Sequence, residues 1–202
     1  MKVIGITGGV GAGKSEILVY LQKRTDCGVI IADRVAHDLE KRGETCYDRI
    51  VALLGTEIVA EDGEIDRAKM AAIIFNDSKM LKKINDIVHP AVKEYIIRTI
   101  AKERQNGRIN YLFIEAALLI EGGYKEIVDE LWYIHTDESV RRERLRKSRG
   151  YTEEKIDRII SEQLSEEDFY RHCSVVIDNS RLLANTYRQI DEKLGDELCQ
   201  KR

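Results

Sequence analysis

An apolar run, Val3–Thr7, leads directly into Gly8-Gly9-Val10-Gly11-Ala12-Gly13-Lys14-Ser15, and that junction restricts the fold more than any other stretch of the chain. The spacing satisfies the full G-x-x-x-x-G-K-[ST] pattern. Its glycines let the backbone turn tightly and aim successive N–H groups at phosphate oxygens. Downstream, Ile17, Leu18 and Leu21 predict a helix over Lys14–Lys23 whose positive end meets the same point. Strand, loop and helix in this order hold the phosphates of a nucleoside triphosphate, ATP in the first instance, beside magnesium. Lys14 is placed to reach the β- and γ-phosphates and Ser15 to ligate the metal. The nucleotide-contacting candidates are therefore Gly9, Gly11, Ala12, Gly13, Lys14, Ser15 and Glu16. The motif alone does not separate a kinase from a GTPase or an ATP-driven motor.

Further short apolar runs follow at Val29–Ala32, Tyr111–Glu115, Leu131–His135 and Ser174–Ile177. Helical patterns lie between them, at Arg67–Ile74, Lys79–Val88, Ala91–Arg104, Ser139–Lys147 and Thr152–Glu162. Strands alternating with helices predict an α/β fold, a P-loop NTPase-type doubly wound parallel sheet of about five strands flanked by helices. Asp66–Gln105 contains no strand and reads as helices inserted between the second and third strands. The expected organisation is a single domain over 1–202. Its core takes in 1–54, 108–137 and 173–202, with a helical substrate-binding insertion at about 55–107 and a helical lid at about 138–172.

The 33 Lys+Arg against 36 Asp+Glu leave a net charge of -3, which argues against general nucleic-acid or anionic-membrane binding. Positive charge is instead local: Arg141, Arg142, Arg144, Arg146, Lys147 and Arg149 fall within nine positions. The four cysteines form no C-x-x-C pair and no zinc spacing, so reduced thiols in a cytoplasmic protein are expected. Monomers or a weak homo-oligomer are expected.

Acidic residues close two of the strands. Asp33 follows the second, where a carboxylate could accept a proton from a hydroxyl acceptor or bind magnesium through water. It could equally cap a helix over Arg34–Glu40. Glu115 ends the third strand in the same manner and is a second candidate for positioning metal or water. In the basic stretch, one or two arginines would serve the transferring phosphoryl group, and the others would pair with Glu138 and Glu143 on a solvated face. His89-Pro90 marks a junction between two helical patterns.

Taken together, these residues resemble the dephospho-coenzyme A kinase family over nearly the whole chain. Beyond the loop, the resemblance rests on Ala32-Asp33-Arg34-Val35-Ala36-His37, Gly55, Asp62-Gly63-Glu64-Ile65-Asp66-Arg67, Phe75 and Val88-His89-Pro90. Leu118-Leu119-Ile120-Glu121, Arg144-Leu145, Gly150, Gln163 and Val176-Ile177-Asp178-Asn179 complete the ordered series. Four departures stand out. Ile31 replaces the first aspartate of Asp-Ala-Asp, and Ala117 replaces a proline. Cys173-Ser174 replaces Ala-Asp. The second lid arginine, four residues after the first, falls on Ser148, with Arg149 one place late.

The resemblance implies transfer of the ATP γ-phosphate to the ribose 3′-hydroxyl of dephospho-coenzyme A, with magnesium required. It implies catalytic roles for Lys14, Asp33 and Arg144, and nucleotide contact for Arg149. Asp33, His89, Pro90, Leu118 and Glu121 are implied on the acceptor side. Two rivals stand beside this reading: another small-molecule or nucleotide kinase on the same scaffold, and a non-catalytic ATP-binding relative. A GTPase is disfavoured because the chain has no Asn-Lys-x-Asp segment.

Overall fold

The computed structural model describes residues 1–75, 77–116, 119–120 and 122–195. Strands β1 (Lys2–Thr7), β2 (Cys27–Ile31), β3 (Tyr111–Glu115), β4 (Glu130–His135) and β5 (Val175–Asp178) form one parallel sheet in the order β2-β3-β1-β4-β5. The expected doubly wound sheet is therefore present. Parallel strands are covered on both faces and read as unbroken apolar runs rather than alternating ones. In β1, Val3, Ile4 and Ile6 are each fully buried.

Register fixes what surrounds the loop. Ile6 lies beside Glu115 of β3, Thr7 beside Tyr133 of β4, and His135 of β4 beside Asp178 of β5. The carboxyl ends of β1, β3, β4 and β5 thus open on one edge, where ligands of open α/β sheets bind.

Nine α-helices accompany the sheet among the described residues: α1 (Lys14–Gln22), α2 (Ala32–Leu39), α3 (Tyr47–Leu54), α4 (Arg67–Phe75), α5 (Ser78–Asn106), α6 (Glu138–Arg149), α7 (Glu153–Ser161), α8 (Glu166–His172) and α9 (Leu183–Lys193). None of them is long and apolar enough to cross a membrane. The chain divides into two compact units, 1–29 with 107–202, and 30–106.

In the first unit, α1 buries Ile17, Leu18 and Leu21. Helices α7 and α8 start on side-chain caps: Thr152 accepts from the Lys155 amide, and Ser165 from the Asp168 amide. Each cap satisfies an amide that the first helical turn cannot. Phe169 of α8 stacks on Tyr133 of β4, with ring centroids 4.7 Å apart. Cys27 and Cys173 here, and Cys46 in the other unit, are free thiols.

In the second unit, α2, α3 and α4 pack on α5. The buried stripe Ile84, Ile87, Val88, Val92, Ile96 and Ile100 of α5 receives them. Buried Glu40, just past α2, pairs with Arg67 at the start of α4.

Two local expectations are corrected. The patterns at Lys79–Val88 and Ala91–Arg104 are one helix, α5, which runs through Pro90. Pro90 and His89 are exposed, so the carbonyl left without its N–H partner is within reach of water, while the buried stripe holds both halves in line. Strand β2 ends at Ile31 and α2 begins at Ala32, so Asp33 lies inside the first turn and the cap position is Ile31. The cap reading of Asp33 is therefore excluded.

An exposed proline inside a helix still costs a backbone hydrogen bond. Pro90→Ala should raise unfolding stability by about 1–2 kcal/mol, the helix-interior gain less the lost restriction of the unfolded chain. Urea denaturation measures this, and a fall in midpoint would show that α5 requires the proline ring.

Candidate active site

The loop between β1 and α1 turns on glycines. Gly13 has φ 86, a left-handed value that side chains resist, and closes the loop as the residue before α1. Gly8 passes so close to β4 that a Cβ there would lie 2.6 Å from the Ile134 carbonyl oxygen. Along the turn, the carbonyl oxygens of Gly8, Gly9, Val10 and Ala12 are taken up. Gly8 O accepts from Lys14 Nζ at 2.6 Å, and Gly9 O from the Ala12 amide at 3.1 Å. Val10 O accepts from Arg141 Nε at 3.0 Å. Ala12 O accepts from Asn179 Nδ2 at 2.7 Å, Thr136 Oγ1 at 3.1 Å and Arg144 Nη1 at 3.4 Å. By contrast, the Gly11 and Gly13 amides donate to no acceptor among the described residues. The loop presents donors on the side away from these anchors.

Helix α6 supplies the cations. Its one buried residue, Leu145, marks the face turned to the loop. Arg141, one turn before Leu145, shares that face, and Arg144, one turn after Arg141, extends it along the loop. Arg141 also donates from Nη2 to Gln163 Oε1 at 2.6 Å, and the same oxygen accepts from the Val10 amide at 3.3 Å. Burial lowers the Arg141 pKa from its ordinary value, yet a guanidinium remains charged near neutrality. Arg144 Nη2 donates to Asn179 O at 2.8 Å.

A second stripe of α6, on the other side of Leu145, is Arg142, Arg146 and Arg149. Arg142 pairs with Glu138 at 2.8 Å, Glu153 at 3.2 Å and Asp157 at 2.7 Å, and Arg146 pairs with Glu153. Hydrogen bonds that Arg142 donates to Glu138 and Asp157 push its pKa further up. Lys147 pairs with Glu143 at 2.6 Å. Arg149 lies exposed with its guanidinium carbon 5.9 Å from the centre of the Tyr151 ring, not on the loop. Ser148 holds the four-residue spacing from Arg144, and its hydroxyl donates to Arg144 O at 2.6 Å.

The loop candidates Gly9, Gly11, Ala12, Gly13, Lys14 and Ser15 and the lid candidate Arg144 therefore converge. Ser15 is exposed, and its hydroxyl has no protein partner among the described residues. Glu16 is exposed in the first turn of α1. Glu115 is half-buried at the end of β3, one strand from the loop. Asp33, His89 and Pro90 belong to the 30–106 unit, where all three are exposed. Leu118 and Glu121 lie outside the described residues, as does the Ala117 departure.

Sequence reasoning gave no role at the loop to Arg141 or Thr136, and noted Gln163 and Asn179 only as matching positions. Arg141 was findable. Leu145 is the buried residue of a charged helix, and Arg141 lies one turn before it on the same face. Thr136 and Asn179 follow strand ends, and only strand order brings them under the loop.

The family model for dephospho-CoA kinase matches residues 2–185. The chain belongs to the dephospho-CoA kinase family. It is similar to the dephospho-CoA kinase of Shouchella clausii, at 34% identity over 95% of this chain and 96% of that protein. To the dephospho-CoA kinase of Aquifex aeolicus it is 35% identical, over 98% of each chain. The solved structure of dephospho-CoA kinase from Campylobacter jejuni shares the fold, with a TM-score of 0.73 over 97% of both chains at 19% identity. The chain is thus a kinase on a P-loop scaffold, as the resemblance implied.

Helical rotation of about 100° per residue separates the two lid candidates. Arg144→Ala should lower turnover at saturating substrates by ~10³-fold, the scale of an arginine aligned on a transferring phosphoryl group. Arg149→Ala should stay within about threefold of the parent, as for an exposed, screened charge. Comparable severe losses in both would place Arg149 in the catalytic step.

Proposed function

We propose that this chain transfers the γ-phosphoryl group of ATP to the ribose 3′-hydroxyl of dephospho-coenzyme A, the last step of coenzyme A synthesis. The observation that carries this reading is the family match across 2–185, which takes in the 30–106 unit as well as the phosphate loop. A kinase sharing only its loop with this family would have no reason to match through that unit.

In the proposed reaction the 3′-oxygen bonds to the γ-phosphorus as the bond to the ADP oxygen breaks, and the hydroxyl proton passes to a base. Asp33 takes or orients that proton. Its exposed carboxylate has no hydrogen-bond or ion-pair partner among the described residues, which supports the role. Lys14 and the loop amides bind the β- and γ-phosphates, and Arg144 stabilises charge on the transferring group. His89, Pro90, Leu118 and Glu121 are assigned to the acceptor side.

A magnesium ion fits Ser15, whose unpartnered hydroxyl is the kind of single protein ligand that magnesium combines with phosphate oxygens and water. It supplies charge neutralisation to the phosphates when bound. Among the described residues, no three His, Cys, Asp or Glu side chains converge to offer an all-protein cage instead.

Purified protein with ATP and magnesium should release ADP only when dephospho-coenzyme A is added, with coenzyme A as the second product. ADP release indifferent to the acceptor, or binding of ATP without turnover, would exclude the assignment.

Asp33→Asn should cut turnover by ~10²-fold or more, the usual scale for a general base, while ATP affinity holds. Lost ATP affinity with turnover kept at saturation would instead make Asp33 a nucleotide or metal contact.

A further inference from the structure

We propose that Asn179 is a positioning residue for nucleotide binding, aiming the Gly13 amide at the phosphates and steadying Arg144 without itself touching the ligand. The inference rests on the reading that the glycine loop binds nucleotide phosphates.

Asn179 follows β5 and is 1% exposed. Every polar group it carries is engaged. Its amide donates to His135 O at 2.8 Å, and its carbonyl accepts from Arg144 Nη2 at 2.8 Å. Its side-chain Nδ2 donates to Ala12 O at 2.7 Å, while Oδ1 accepts from Thr186 Oγ1 at 2.9 Å. Thr186 is fully buried. Flipping the side-chain amide would set two oxygens against each other at Ala12, so its orientation is fixed.

The consequence passes through one peptide plane. The Ala12–Gly13 bond is trans, and in a planar trans peptide the C=O and the next N–H point in opposite directions. Pinning Ala12 O on the Asn179 side therefore turns the Gly13 N–H to the other side, where it meets no acceptor among the described residues. Gly13 fits the same design. A Cβ on it would lie 2.4 Å from Asn179 Nδ2, so a side chain there would expel the anchor.

Arg144 shares the device. Its two contacts here are Ala12 O and Asn179 O, the two carbonyls that the Asn179 residue respectively binds and carries. One buried residue thus sets the loop amide through its side chain and offers Arg144 a seat through its backbone carbonyl.

The test is calorimetric titration with magnesium–ATP and no acceptor, so the identity of the phosphoryl acceptor does not enter. Asn179→Ala should weaken binding by about tenfold, the scale of one buried hydrogen bond lost together with the order it imposed. Thr186→Val leaves Ala12 untouched but frees the Asn179 amide, and should weaken binding by about threefold. Thr186→Ser keeps the hydroxyl and should bind as the parent does. If Asn179→Ala fails to fold, the Thr186 pair decides. A folded Asn179→Ala protein, or a Thr186→Val protein, with lower thermal stability but parental affinity would overturn the inference. So would equal affinities for the two Thr186 variants. A parent chain that binds no magnesium–ATP would overturn the nucleotide reading itself, which is a separate and distinguishable result.

Discussion

A backbone loop that offers N–H groups to a ligand on one side must dispose of its carbonyl oxygens on the other. Buried carbonyls left without donors are costly, so the loop is only as ordered as the donors behind it. Here Lys14 holds Gly8 O, the Ala12 amide holds Gly9 O, Arg141 holds Val10 O, and Asn179 with Thr136 holds Ala12 O. Strand β1 and helix α1 provide the ends of the loop. The carboxyl ends of β4 and β5 and the inner face of α6 provide its back.

Helix α6 shows how one short segment can carry two electrostatic jobs. Arg141 and Arg144 turn inward to carbonyls, where burial makes each hydrogen bond to a charged donor count for more. Arg142, Arg146 and Lys147 turn outward to Glu138, Glu143, Glu153 and Asp157. Those exposed pairs contribute little to stability individually, but they offset the charge of Arg142, Arg146 and Lys147, while Arg141 and Arg144 keep theirs on the loop. A chain with a net charge of -3 can in this way hold a cationic site.

The phosphate loop and the parallel sheet were legible in the sequence because each depends on short-range pattern. Five apolar runs and one eight-residue motif define them. Pro90 misled for a physical reason: proline breaks isolated helices, but the buried stripe of α5 on either side outweighs one missing hydrogen bond. Asp33 could not be resolved between cap and functional carboxylate because strand and helix abut with no intervening turn, a boundary that propensity does not locate. The one-residue displacement of Arg149 was readable, since helical rotation alone moves it to the stripe of Arg142 and Arg146. Thr136 and Asn179 carry no local signature at all. Their contact with Ala12 is a property of strand order, and strand order is a tertiary fact.

That dependence on strand order has a consequence in time as well as in space. Asn179 and Ala12 are 167 positions apart, and Thr136 and Ala12 are 124. Contacts of such long range form late, because the entropy of closing a long loop must be met before they reward it. In a growing chain the residues of β1, the glycine turn and α1 emerge long before those of β5 exist to complete their backing. Up to that point Lys14, Arg141 and Thr136 can hold their carbonyls, but Ala12 O lacks its shortest anchor, Asn179. Affinity for polyphosphate should therefore reach its full value only when the last strand docks.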